Sequence, residues 1–218
     1  MIKGFELENI EELKDSPIEG KTILYLGSSV TYGYKNDGIS FVEYIAKRNK
    51  TPYIKETVSG TTLTDGENSY IERLLKVDKS RKVDFFVLQL STNDAYCERK
   101  IGKLSPSFDI KDFDTSTIYG AIEYIIAYVR SVWDCPIIIY TNPYYSNLHY
   151  HKMVDMMEIV KDKWNVIIVD MYHDKNFESL NKENAYMDDP IHPNAKGYLL
   201  YMTPLIEMAL YSASQNKK

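Results

Sequence analysis

Five short apolar runs punctuate the chain: Thr22–Leu26, Tyr53–Val58, Val83–Leu90, Ile137–Tyr140 and Val166–Val169. Most are rich in Val, Ile, Tyr or Phe, and their hydrophobicity is continuous rather than alternating. A strand with one wet face alternates polar and apolar side chains, so unbroken runs predict strands covered on both faces. Helical spacing fills the intervals. Phe41, Tyr44 and Ile45 share one stripe, as do Tyr70, Leu74 and Leu75. Ile118, Ile122, Ile125, Ile126 and Val129 form another, and Met153, Met156, Met157 and Val160 a fourth. A final helix over Asn194–Tyr211 carries Leu199, Met202, Ile206 and Leu210. Strand and helix thus alternate five times. This predicts an α/β fold, a parallel five-stranded sheet with helices on both faces and right-handed crossovers.

At 218 residues the chain has the length of one domain and can bury a core without a disulfide or metal staple. It contains no repeat, linker or low-complexity stretch. The expected organisation is a single unit over residues 1–218, with residues 1–20 an N-terminal extension packed on it. The longest irregular piece, Ala95 to Thr115, is expected to be a surface loop beside the site. No apolar run approaches the ~20 residues that cross a bilayer, so no membrane partner is expected. The segment MIKGFELENIEELKDSP lacks the basic start and apolar stretch of a secretory signal, which predicts a cytoplasmic protein if Met1 is the native start. With 26 basic and 31 acidic residues the net charge is −5, which argues against a nucleic-acid partner. The two cysteines, Cys97 and Cys135, show no metal-ligand spacing and read as reduced thiols.

In a sheet of this kind ligands bind beyond the carboxyl ends of the strands. Five segments occupy those ends: Gly27-Ser28-Ser29-Val30-Thr31-Tyr32-Gly33, Ser59-Gly60-Thr61-Thr62, Ser91-Thr92-Asn93-Asp94, Thr141-Asn142-Pro143, and Asp170. Turn residues gather at strand ends anyway, so the chemistry must discriminate. Asp189-Pro190-Ile191-His192-Pro193-Asn194 is the sharpest cluster. Pro190 pushes Asp189 into an extended conformation, and Pro193 suits the first turn of a helix. Asp189 can then return to the imidazole Nδ1 of His192, fixing the tautomer and leaving Nε2 as a base. The bland alternative is a capping histidine in a proline-rich turn.

A base needs a nucleophile, and Ser28 or Ser29 sits in a glycine-flanked loop after the first run. No Lys follows in the G-K-[ST] pattern, which excludes a P-loop. Asn93 offers a side-chain NH₂ and Gly60 an unobstructed backbone N–H to a developing oxyanion. Other candidates are weaker. His149 and His151 could bind a metal, but no third ligand is evident. Cys97 carries no mark of an activated thiol. Asp94 reads as a brace for its loop. Tyr144, Tyr145 and Tyr150 either line a substrate cleft or are simply buried.

The order G-S-S-V-T-Y-G, Ser59-Gly60, S-T-N-D, D-P-I-H resembles the SGNH (GDSL) hydrolase superfamily, from about Lys21 to the final helix. The resemblance implies a flavodoxin-like three-layer α/β/α sandwich and a serine esterase without metal or other cofactor. By position, Ser29 matches the nucleophile, His192 the general base and Asp189 the orienting acid. The Ser29 N–H, the Gly60 N–H and the Asn93 side chain match the oxyanion hole. Spacing to Gly33 selects Ser29 over Ser28. Two positions depart from the family pattern: Ser28 stands where G-D-S has Asp, and Ser91 where G-x-N-D has Gly. Short acyl esters, acetyl above all, including those on carbohydrate, are the substrates the resemblance implies. The alternatives are acyl transfer at the same site and a non-catalytic, phosphate- or flavin-binding module.

Overall fold

The structure, a computed structural model, describes residues 4–215; residues 1–3 and 216–218 of the expected single unit lie outside the described residues. Five strands form one sheet: β1 (Ile23–Gly27), β2 (Tyr53–Thr57), β3 (Phe85–Gln89), β4 (Ile137–Tyr140) and β5 (Ile167–Val169). All neighbours pair in parallel, in the order β2-β1-β3-β4-β5. Each apolar run does lie on a strand: Ile137–Tyr140 coincides with β4, and the others are trimmed by one or two residues at an end or shifted by one.

The continuous runs make sense because the pleat divides them. Leu24, Leu26, Phe86, Leu88, Ile137 and Ile139 enter one core. Their chain neighbours Ile23, Tyr25, Phe85, Val87, Ile138 and Tyr140 enter the other. The first core is covered by α3 (Tyr70–Lys76), α5 (Ile118–Val132), α6 (Leu148–Asp155) and α7 (Met157–Trp164). The second is covered by α2 (Phe41–Asn49) and α9 (Thr203–Gln215). Ile10 and Ile18 join the second core, and Leu13 N–H donates to the Arg48 carbonyl at 2.7 Å, so residues before β1 pack on α2. This is the flavodoxin-like three-layer sandwich. Short helices α1 (Ser29–Tyr32), α4 (Thr92–Tyr96) and α8 (Phe177–Asn184) complete it.

Two helices differ from their sequence patterns. The methionine stripe spans two helices, because α6 ends at Asp155 and α7 begins at Met157. Met156 between them stays in the right-handed helical region, so the apolar period continues across the break. The final helix starts at Ala195 and runs as a π-helix over Gly197–Met202 before α9. There Thr203 N–H reaches back five residues to the Tyr198 carbonyl. Pro204 follows at once, and a proline ring in a helix crowds the carbonyl four residues earlier, which the wider turn relieves. Pro193 is not in the helix: it bridges Met187, and the Asn194 side chain accepts from Gly197 N–H at 3.2 Å.

Candidate active site

The strand order reverses direction between β1 and β3, and a crevice opens at such a switch point. Ser28 and Ser29 leave β1 there, and Asn93 leaves β3. The β1 turn is fixed from below by the buried side chain of Gln89. Its Oε1 accepts from Ser28 N–H at 2.9 Å and from Thr31 Oγ1 at 2.7 Å. Gly27 is required because a Cβ would overlap Thr31 and Gln89. Tyr198 of the π-helix donates its hydroxyl to the Val30 carbonyl at 2.9 Å, bracing the turn from the far end of the chain.

Across the crevice lies the loop 185–194. Asn142 Nδ2 donates to the Ile191 carbonyl at 3.0 Å, and Asp188 N–H to the His192 carbonyl at 3.0 Å. Within that frame Asp189 folds back on His192, with Oδ2 2.8 Å and Oδ1 3.0 Å from Nδ1. The Ile191 and His192 amides also donate to Asp189 Oδ1, at 2.9 and 2.8 Å. Burial raises the Asp189 carboxyl, but these donors outweigh it and hold the group below its ordinary value. The other imidazole nitrogen, Nε2, lies 2.9 Å from Ser29 Oγ. Serine, histidine and aspartate therefore form one hydrogen-bonded line, and it runs through Ser29, not Ser28.

That line opens on a cavity of ≈ 430 Å³ whose wall includes Ser29, Gly60, Asn93, His192, Tyr34 and Tyr96. Gly60 has φ +81°, and a Cβ there would meet nothing within 4 Å. Asn93 reaches the cavity, but its amide donates to the Thr61 carbonyl at 2.8 Å and to Ser28 Oγ at 3.1 Å. Ser28, fully buried, is thus an acceptor for Asn93. Ser91 caps α4 by accepting from Asp94 N–H at 3.3 Å. Asp94 braces the neighbouring loop as expected, accepting from Leu63 N–H at 2.7 Å and Thr64 Oγ1 at 2.9 Å. Burial raises its carboxyl despite those donors.

Sequence reasoning missed three contributors. Tyr34 sits 5.3 Å from the His192 ring, centroid to centroid, and Tyr96 is 81% exposed at the cavity rim. Their only sequence signal is position, one residue beyond Gly33 and two beyond Asp94. Arg73, buried on α3, donates to the Gly27 and Glu56 carbonyls and to Thr61 Oγ1, tying together the ends of β1 and β2. Nothing in a helical arginine announces this. The candidate tyrosines divide differently: Tyr150 is fully buried, Tyr145 nearly so, and Tyr144 is half exposed, all outside this cavity. Cys97 is exposed and absent from the wall.

Fold and site together define a hydrolase. The chain belongs to the GDSL-like lipase/acylhydrolase family, whose sequence profile matches residues 25–200. Solved structures share the fold. One from Lactobacillus plantarum is 18% identical with a TM-score of 0.70, covering 92% of this chain and 99% of its own. A lipase/acylhydrolase from Enterococcus faecalis is 20% identical with a TM-score of 0.62, covering 88% and 96%. An active-site mutant of a family two carbohydrate esterase from Clostridium thermocellum is 17% identical with a TM-score of 0.62, covering 95% of this chain and 65% of that one. No curated protein matches the sequence. Family membership sets aside the non-catalytic alternative. Among the described residues no helix is long and apolar enough to cross a membrane.

Proposed function

We propose that the protein hydrolyses short acyl esters, acetyl esters of carbohydrates foremost, with Ser29 as nucleophile, His192 as general base and Asp189 as orienting acid. The carrying observation is the unbroken line from Asp189 through His192 to Ser29 Oγ at the floor of an open cavity. Asp189 receives the Nδ1 proton's hydrogen bond, so Nε2 is free to accept the Ser29 proton as Oγ attacks the ester carbonyl. The oxyanion meets the Ser29 and Gly60 N–H groups and the Asn93 amide, which turns from its longer contact with Ser28. The C–O bond to the alcohol then breaks, the alcohol leaves with the proton from Nε2, and Ser29 holds the acyl group. Water repeats the sequence and frees the acid.

Two features favour a small acyl group on a sugar. The cavity of ≈ 430 Å³ falls near the lower end of the usual ~300–1,000 Å³ for ligand sites. Tyr34 and Tyr96 present aromatic surface at its rim, where a pyranose face can stack. The carbohydrate esterase of similar fold is consistent with that choice. The reading takes residues 1–218 as one domain, supported by Ile10 and Ile18 in the common core. A series of p-nitrophenyl esters of increasing chain length, run beside an acetylated oligosaccharide with wild type and Ser29→Ala, tests it. The expected result is activity highest on acetyl and lost in the variant. Rates that climb towards long acyl chains would remove the substrate class, and an active Ser29→Ala would remove the nucleophile. Adding an alcohol acceptor and following the acyl product distinguishes transfer from hydrolysis.

A further inference from the structure

The histidine pair that the sequence offers for a metal does not converge. His149 Nε2 bonds to the Arg99 carbonyl at 2.8 Å, whereas His151 turns to a different set of partners. One helical turn after His151 on α6 comes Asp155, and His173 approaches both from the turn after β5. One ligand atom from each of His151, Asp155 and His173 lies within 4.8 Å of the other two, and all three residues are exposed. None lines the cavity at Ser29.

A carboxylate selects which nitrogen of a neutral His173 carries the proton. Its Nδ1 lies 2.8 Å from Asp170 Oδ2, and its backbone N–H donates to Asp170 Oδ1 at 3.1 Å. Asp170 is itself anchored by Tyr172 N–H at 3.1 Å and Thr141 Oγ1 at 3.3 Å. With the proton on Nδ1, Nε2 carries a lone pair, and it faces Asp155 Oδ1 at 3.8 Å. His151 Nε2 faces Asp155 Oδ2 at 3.5 Å. Those separations are long for hydrogen bonds, in contrast to the Asp170 contact. They approach the spacing of atoms that share one ion: ligands about 2.0–2.2 Å from a cation stand about 3.3–3.6 Å apart around a tetrahedron. The two imidazole rings meet nearly perpendicular, at 82° with centroids 5.7 Å apart.

We propose that His151, Asp155 and His173 bind a first-row divalent cation, Zn²⁺ by preference, with Asp170 as a positioning residue. Two neutral imidazoles and one carboxylate suit Zn²⁺, and water completes the tetrahedron on the exposed side. A carboxylate behind a ligating imidazole is the usual outer-shell arrangement, since it fixes the ring and raises its basicity. The ion would clasp α6 to the turn after β5. The site stands apart from the proposed esterase, so either can fail alone.

Calorimetric titration of the full chain with ZnCl₂ is the test. One ion per chain is expected to bind in the micromolar range or tighter. His151→Gln, Asp155→Asn and His173→Gln should each weaken binding at least tenfold, and Asp170→Asn by about 10–100-fold. His149→Gln should bind as wild type does, and all five should keep ester hydrolysis. Should a variant fail to fold, side-chain NMR of wild type gives an independent reading: Zn²⁺ should shift the His151 and His173 ring signals before those of His149 and His192. Wild-type binding no tighter than that of His173→Gln, or shifts led by His149 or His192, would overturn the site and leave an imidazole–carboxylate cluster only.

Discussion

Two acid–base pairs in this molecule are built from similar chemistry and put to opposite ends. Asp189 and His192 sit on one loop, with side chains 33% and 17% exposed. Glu123 on α5 and Lys163 on α7 are 0% and 10% exposed, and join elements forty residues apart. Every group around the second pair is satisfied. Glu123 accepts from Trp164 Nε1 at 3.1 Å and Ser105 N–H at 2.8 Å, while Lys163 donates to the Ser105 and Ser107 carbonyls. Three aromatic rings, Phe108, Trp164 and Phe113, surround the ammonium at 4.8–5.4 Å. This clasp pins the long segment after α4 against the helices. Its charges face only each other, so it can hold structure but do no chemistry. The Asp189–His192 pair leaves one nitrogen facing a hydroxyl and a cavity. Contact with a hydroxyl at an open cavity is what separates the pair proposed for catalysis from the fastening one.

Substitutions can break that contrast, and the largest effect is expected at the line itself. Ser29→Ala or His192→Ala should lower kcat by roughly 10⁶ with little change in thermal stability. A comparable loss at Glu123 would erase the distinction. Asp189→Asn keeps the shape but favours the wrong tautomer, and should cost about 10⁴ in kcat. Glu123→Ala strands a buried ammonium and should cost about 3–5 kcal/mol in denaturant unfolding, leaving the activity of the folded fraction intact. Asn93→Ala should lower kcat by about 10²–10³, the loss of one oxyanion donor. The smallest effect is one of pH. The folded Asp189 carboxyl lies below its ordinary value of 3.8, so its stabilising contribution is complete above that pH and is lost as pH falls through the folded value. Acid unfolding curves of wild type and Asp189→Asn should therefore converge as the pH drops below about 4.

How far the sequence foretold all this depends on the range of the interaction. The strands were legible because burial on two faces leaves a local mark in composition. The line from Ser29 to Asp189 was legible because each member lies in a short pattern at a strand end or helix start. Contacts between distant segments left no such mark. The helical period of Met153 to Val160 ran through the break at Met156, since that residue keeps helical dihedrals. Pro204 was visible, but its answer in a π-turn depends on what packs around the helix. His173 was out of view for a metal because Asp155 and His173 meet only when the turn after β5 folds onto α6. Lys163 and Arg73 read as ordinary helix surface until the tertiary fold buries them.

Ser29 and His192 touch although 163 positions separate them in the chain. During synthesis the first four strands emerge before His192 does, so on the proposed mechanism a half-made molecule has a hydroxyl without its base and is inert towards esters. Acquisition of activity then times the docking of the last segment, and the appearance of ester cleavage in a cell-free translation reaction would act as a stopwatch for that event.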